Sequence, residues 1–451
     1  MSEKSPYTLL LSFVLVSSIL FNLYNNIEKI KTYMDEEFHL DQTLSYYNNQ
    51  FKYWNNKLTT FPGTFLLSSV FLKLFYVFQI PINENNSIKI VRIFTIIISI
   101  LSFIILGLFR KKNAELSLIY KLQLLIGFFP INFFYNFLFY TESFSIFSLI
   151  LFFYLNLYTS KNILLRFLSG ILCVLIRQNN IIWINLIALN EVLSLIQLFF
   201  NNKNFKNLFE NILFTIGRNI DILIIDILFI IFIIYNNNSI VLGDKSHHSM
   251  VLHFAQINHL LIFSLLFFPS FNLKIIRNLN KLLKNGKKAV RFLLIFIIII
   301  SLVLICNKFS YTHDFILSDN RHYIFYYFKK IYLKDNLRYA LLLYISFAYS
   351  MIINDNLKLL KDNKIVSWLI CTMLSLIPAE LVEVRYFVPC YIIFIILVNY
   401  NKESFEDLHQ YIFHWLNIFA HIIINGMTIY IFLFRSFENK FMGNEISRFM
   451  Y

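Results

Sequence analysis

Three consecutive carboxylates, Asp35-Glu36-Glu37, are followed closely by His39. Mutual repulsion inside such a run favours proton uptake by one member, which is what a general base does, and a neighbouring histidine tunes or orients it. The plain structural alternative is a solvated acidic turn. Further along, four cations keep similar company: Arg177 beside Gln178 and Asn179, Lys245 after Asp244 and before His248, Arg321 between Asp319 and His322, and Arg385 two residues after Glu383. Arginine binds phosphate through its bidentate fork and lysine as a point charge. One such cation reads as a snorkelling or locally paired residue; four from four loops point to a lipid-phosphate site if helices bring those loops together. Asp244, His247, His248 and His253 fit no standard zinc spacing, so no metal is expected. Neither GxGxxG nor GxxxxGK[ST] occurs, which argues against nucleotide binding.

The elements that position these groups must be membrane helices. Of 451 residues, 58% are hydrophobic, 18% aromatic and only 15% charged, against roughly a quarter charged in soluble domains. A net charge of +14 in another setting suggests nucleic acid, but here the Lys and Arg fall between apolar runs, where they orient helices in a bilayer and imply no nucleic-acid partner. Cys173, Cys306, Cys371 and Cys390 lie in or at the ends of apolar runs without a CxxC pair, so they read as packing residues rather than a disulfide framework. The abundance of Asn is treated as composition bias.

Continuous apolar runs indicate helices rather than barrel strands. Candidate spans are 8–24, 92–109, 116–133, 143–159, 163–176, 180–199, 211–235, 254–271, 290–306, 337–354, 365–380, 386–399 and 411–434, which is an all-α polytopic membrane protein with about 12–14 membrane helices, read as a single domain over 1–451. Segment 64–80 is taken as interfacial, with Pro62 setting its helix entry and Thr60 capping it. The basic stretches 110–112, 161–166, 203–206, 274–291 and 358–364 then share the cytosolic side, with a basic loop at 272–291 and a long first loop at 25–91 on the opposite, lumenal side. The first apolar run reads as a signal anchor. The sequons Asn85-Asn86-Ser87 and Asn237-Asn238-Ser239 fall on that lumenal side, as do all the acid and cation clusters above. Arg218 and Asp221, three apart, are expected to pair on one helical face near Asp226 as a structural group.

In order along the chain stand Tyr33-Met34-Asp35-Glu36 with Phe38-His39, Thr59-Thr60-Phe61-Pro62-Gly63, Asn136-Phe137-Leu138-Phe139-Tyr140-Thr141-Glu142 and Arg177-Gln178-Asn179-Asn180-Ile181-Ile182-Trp183. Gly243-Asp244-Lys245-Ser246-His247-His248 with His253-Phe254, Asp319-Asn320-Arg321-His322-Tyr323, Glu383-Val384-Arg385-Tyr386-Phe387 and Arg448-Phe449-Met450 follow. This series resembles the endoplasmic-reticulum alpha-1,2-glucosyltransferases that use dolichyl-phosphate glucose to place the terminal glucose on the lipid-linked oligosaccharide. Phe61 stands where those enzymes usually carry Pro, and the segment after Asn190 is shorter and less basic.

The resemblance implies a GT-C-type glycosyltransferase fold, an endoplasmic-reticulum membrane location with a lumenal site, and no cofactor, since dolichyl-phosphate glucose is itself the donor. It implies Asp35 as base with Glu36 or His39 beside it. Arg321, Arg177, Lys245 and Arg385 become donor-phosphate ligands, and Asp244, His248, Asp319, His322 and Glu383 position those cations or bind sugar hydroxyls. The expected partners are membrane lipids, the donor and the lipid-linked acceptor; the sequence does not specify an oligomeric state. The alternatives are another hexosyltransferase of the same pathway, or a transporter or channel regulator, which predicts intramembrane ion pairs and repeated halves. Beyond Arg218 to Asp226, the sequence suggests neither.

Overall fold

Hydrocarbon offers no water to a backbone amide, and the chain meets that constraint with helices almost throughout. The computed structural model describes residues 19, 23–28, 30–109, 116–158, 162–202, 205–245, 250–402, 406–439 and 445–451; most of the expected opening span at 8–24 lies outside them.

Two compact units make up the chain, residues 1–123 with 135–248, and residues 124–134 with 249–451. The first contains α1 (Glu36–Tyr47), α2 (Gly63–Val77) and α3 (Glu84–Leu108). After α4 (Leu116–Gly127) and α5 (Pro130–Tyr135), which straddle the division, come α6 (Thr141–Tyr158), α7 (Ile163–Ile176), α8 (Asn180–Ile184), α9 (Leu186–Asn202), α10 (Phe205–Arg218) and α11 (Ile220–Tyr235). Here α3 packs on α6, α6 on α7 and α1 on α2, around Leu40, Phe65, Val91, Phe139, Phe144 and Ile176.

The second unit holds α12 (Ala255–Phe267), α13 (Ser270–Leu283), α14 (Gly286–Lys308), α15 (Asp314–Ser318), α16 (Tyr323–Tyr327), α17 (Asp335–Asp355), α18 (Asn363–Leu376), α19 (Val388–Tyr400), α20 (Glu406–Ile412) and α21 (Trp415–Phe434). There α14 packs on α17 and α12 on both, and a small antiparallel hairpin, β1 (Phe437–Asn439) with β2 (Glu445–Ser447), follows α21.

Among the described residues five helices are long and apolar enough to cross a bilayer: Asn86–Leu108, Thr141–Tyr158, Gly286–Lys308, Asp335–Asp355 and Glu406–Phe434, with a sixth if the bent pair Ala255–Phe267 and Ser270–Leu279 counts as one. Gly286–Lys308 is little buried against protein, and most of its Leu and Ile side chains are exposed. The protein is an all-α polytopic membrane protein. Shorter apolar helices, Leu118–Gly127, Ile163–Ile176, Leu186–Phe200, Asn363–Leu376 and Val384–Tyr400, occupy five of the remaining expected spans. A 14-residue helix rises only about 21 Å at 1.5 Å per residue.

Several expected runs are broken. Pro130 opens a new helix inside 116–133 and Pro269 caps another inside 254–271, because proline fits a helix start but not its interior. Asn185 interrupts 180–199, and Asn219 interrupts 211–235. The expected basic loop 272–291 is largely helical, since its apolar residues recur at helical spacing in α13 and α14 begins at Gly286. The first loop, 25–91, likewise contains α1, α2 and the start of α3. Asparagines set aside as bias act as helix caps: Asn83, Asn162 and Asn285 accept from the amides of Asn86, Leu165 and Lys288.

Candidate active site

Met34 has a left-handed backbone, φ 57°, a conformation unfavourable for a side chain with a Cβ. That turn delivers Asp35 to the N-cap of α1, half-buried. Tyr140 holds it there: the Asp35 amide donates to the Tyr140 hydroxyl at 3.2 Å, which donates to the Tyr33 carbonyl at 3.4 Å.

Glu36, fully buried, has a different fate. Arg92 clasps it with Nε on Oε1 at 2.9 Å and Nη2 on Oε2 at 2.5 Å, and the amides of Phe139 (2.7 Å) and Tyr33 (3.0 Å) donate to the same two oxygens. Arg92 also donates to the carbonyls of Ile27, Ile30 and Lys31. A carboxylate so engaged orders its surroundings, with both of its oxygens committed to Arg92 and two amides. Glu37 is exposed. His39 is 6% exposed, ringed by Phe65, Phe139 and Tyr140. Its Nδ1 lies 2.8 Å from the Phe139 carbonyl; a carbonyl only accepts, so Nδ1 carries the proton.

A continuous chain of contacts leads from Asp35 to two of the cations. Beyond Tyr140, Glu142 in the first turn of α6 accepts from Arg177 Nη1 at 2.9 Å. Arg177 ends α7, and the next residue, Gln178, donates to the Thr59 carbonyl at 2.7 Å. Thr59 O also accepts from the Leu242 amide at 3.3 Å. Gly243, at φ +63°, sits where a Cβ would lie 2.3 Å from the Leu58 carbonyl oxygen and 2.5 Å from that of Asn56. Half-buried Asp244 and exposed Lys245 follow, with Lys245 Nζ on the carbonyl and Oδ1 of Asn236, both at 2.9 Å. His247 and His248 lie outside the described residues.

Gly63 explains the Pro62-Gly63 pair: a Cβ there would stand 2.4 Å from the Leu175 carbonyl oxygen, so only glycine lets α2 begin against the end of α7 that carries Arg177. Thr60 does not cap α2. Its hydroxyl is buried without a partner, because the helix begins three residues on with Pro62 at the cap position.

In the second unit Arg321 forks onto Asp319 through Nε and Nη2, both at 2.8 Å. Burial works to raise the Asp319 carboxyl, but its hydrogen bonds from Arg321 and the nearby His322 outweigh it and hold the group below the ordinary carboxylate range. The C-terminal segment closes over this loop. Met450 N donates to Arg321 O at 2.9 Å, Tyr323 N to Met450 O at 3.0 Å, and His322 Nδ1 to the Tyr451 backbone oxygen at 2.8 Å. Arg448 Nη1 bonds the Phe432 and Leu433 carbonyls at the end of α21, and Phe449 stacks on Phe437. The Arg448-Phe449-Met450 motif is therefore a clamp on Asp319 to Tyr323. Arg385 is ion-paired with Glu383. Burial pushes the Tyr323 phenol up to about 12.

Sequence reasoning missed Arg92, although an arginine inside an apolar helix signals a buried partner. It also missed Glu380: His313 Nε2 stands 3.9 Å from its carboxylate, Tyr311 hydrogen-bonds it, and His253 Nδ1 donates to its backbone oxygen at 3.1 Å. The expected Arg218–Asp221 pair does not form. Asn219 breaks the helix between them, so Asp221 binds Arg166 at 2.7 Å and Arg218 binds Glu191 at 3.3 Å, while Asp226 accepts from Asn185. Buried ion pairs thus exist at Arg92–Glu36, where the sequence suggested none, and at Arg166–Asp221, where it suggested Arg218 as the partner. Among the described residues no three His, Cys, Asp or Glu side chains converge as metal ligands.

A helical, many-times-spanning chain with a buttressed acidic turn and arginine–carboxylate clusters at its helix ends has the architecture of a membrane-embedded glycosyltransferase. The sequence profile of the DIE2/ALG10 family matches residues 29–396, and the chain belongs to that family. It is 31% identical, over 97% of its length and 96% of the relative's, to the human Dol-P-Glc:Glc(2)Man(9)GlcNAc(2)-PP-Dol alpha-1,2-glucosyltransferase. The proteins of the same description from Rattus norvegicus (29%, 97% and 96%) and Candida albicans (30%, 95% of each chain) are similarly close. No solved structure matches.

Proposed function

We propose that this chain transfers glucose from dolichyl-phosphate glucose to the diglucosylated lipid-linked oligosaccharide, forming the terminal alpha-1,2 linkage in the endoplasmic-reticulum membrane with its site on the lumenal side. The acceptor 2-hydroxyl attacks glucose C1, the C1–O bond to phosphate breaks, and dolichyl phosphate leaves, so a beta-linked donor gives an alpha product by inversion. Asp35 takes the hydroxyl proton. Glu36 is a positioning residue, and His39, its Nδ1 proton committed to Phe139, orients the same turn. Arg177 and Lys245 in the first unit, and Arg321 and Arg385 in the second, are the phosphate-binding candidates. A guanidinium has five N–H donors, so one carboxylate does not exhaust it. Asp244, His248, Asp319, His322 and Glu383 set those cations or meet sugar hydroxyls. No cofactor is invoked, because the phosphate leaving group travels with the donor.

The observation that carries this reading is the Asp35 turn, set by a left-handed Met34 and by a Tyr140 hydroxyl bonded to the Asp35 amide, while both oxygens of the neighbouring Glu36 are engaged by Arg92 and two amides. In microsomes supplied with radiolabelled dolichyl-phosphate glucose and diglucosylated acceptor, Asp35→Asn should lower turnover by roughly 10²–10⁴-fold with the protein still folded. An Asp35→Asn enzyme working at the full rate ends the assignment of the base; wild-type protein that elongates only a different acceptor replaces the substrate.

A further inference from the structure

A second polar site lies in the second unit, lined by none of the residues assigned to the reaction. A cavity of about 220 Å³ opens where α13, the start of α14, the end of α17 and α20 converge. Water occupies about 30 Å³ per molecule in the liquid, so the space suits a small charged headgroup rather than one or two waters.

Its wall is built from cations. Lys274 of α13 is only 2% exposed, and its ammonium stands 4.8 Å over the Tyr411 ring. A snorkelling lysine stretches into water; this one is held back in the wall. Arg291 of α14 is fixed by Asn354, donating to its Oδ1 at 2.7 Å and its carbonyl at 2.9 Å. Lys288 lies in the first turn of α14, where the positive end of the helix dipole adds to its charge. Of the two carboxylates, Asp355 accepts from Asn278, and exposed Asp407 stands at the rim.

The elements around the cavity say where it lies. α13 turns 89° from α12 at the Phe268-Pro269 break, and it alternates apolar residues with Lys274, Arg277, Lys281 and then Lys284. An amphipathic helix bent off a span in this way lies along the membrane surface among lipid headgroups. It belongs to the face where the sequence gathers its basic stretches.

We infer that Lys274, Lys288 and Arg291 form a binding site for the phosphate of a hydroxyl-bearing anionic lipid headgroup, with Asp407 placed to accept from a headgroup hydroxyl. Three cations against two carboxylates favour one anionic group, and the single rim carboxylate favours a headgroup that also donates. The site is independent of the transfer chemistry.

The test measures the unfolding midpoint of the full-length protein in nanodiscs of phosphatidylcholine alone, of phosphatidylcholine with phosphatidylinositol, and of phosphatidylcholine with inorganic phosphate in the buffer. Phosphatidylinositol should raise the wild-type midpoint by about 2–4 °C. Lys274→Met should abolish that rise. Lys288→Ser, at an exposed position that leaves folding intact, should at least halve it without altering the midpoint in phosphatidylcholine alone. A rise with phosphatidylinositol only identifies the lipid as the source, and a rise with inorganic phosphate as well means that free phosphate also enters. No rise in wild type, or a rise undiminished in Lys288→Ser, overturns the proposal.

Discussion

Asp35 and Glu36 are adjacent carboxylates with unlike surroundings, and the difference sets what each can do. Glu36 and Arg92 are both shut off from solvent, so removing one partner leaves a buried charge uncompensated. Arg92→Met should cost about 3–5 kcal/mol of stability, and the double variant Arg92→Met with Glu36→Leu should recover much of it. A thermal melt in detergent in which the single variant matches wild type would show that the pair contributes nothing. Asp319 supports a pH prediction. Its folded carboxyl lies below the ordinary aspartate range, so the stabilisation from its Arg321 pair is fully present above that range and is lost as pH falls through the lower, folded value. The melting difference between wild type and Asp319→Asn should therefore be flat from neutral pH to about 5 and shrink below about 4. A difference that stays flat through the acid range would count against that pairing.

At the scale of elements, the site depends on close approach of backbones. Gly63 lets α2 start against the end of α7, and a methyl group there meets carbonyl atoms of Leu175 that cannot rotate away. Gly63→Ala should destabilise the first unit by about 1–3 kcal/mol, the usual range for overpacking, and lower activity with it because Arg177 and Gln178 follow that same helix end. An alanine variant with wild-type melting and turnover would mean that the two helix ends separate at no cost. The Asp35 turn, the start of α6 and the loop before Lys245 are joined mainly by side-chain bonds to backbone. Such bonds are local in space but span about a hundred residues in sequence, which is why spacing alone exposed the residues but not their partners.

For the whole molecule, charge sets the expected orientation in the membrane. The expected basic stretches share one face only if 64–80 does not cross. If the end of α11 lies on the proposed lumenal side, Asn237, exposed in a left-handed turn after α11, is open to glycosylation. Protein made in eukaryotic cells should lose one endoglycosidase-sensitive mobility step on Asn237→Gln, and no change in mobility would argue against that placement. Composition and period sufficed to define a polytopic helical membrane protein, because a bilayer admits few other ways to satisfy a backbone. The ordered motifs marked Asp35, Arg177 and Arg321, because each alone has a structural use and only their series in fixed order sets them apart. Tertiary structure alone decided that Glu36 belongs to Arg92, that Asp221 belongs to Arg166 and that residues 448–450 clamp the Arg321 loop. Each of those pairings sets a short distance in space between residues far apart in the chain, and no local pattern encodes it.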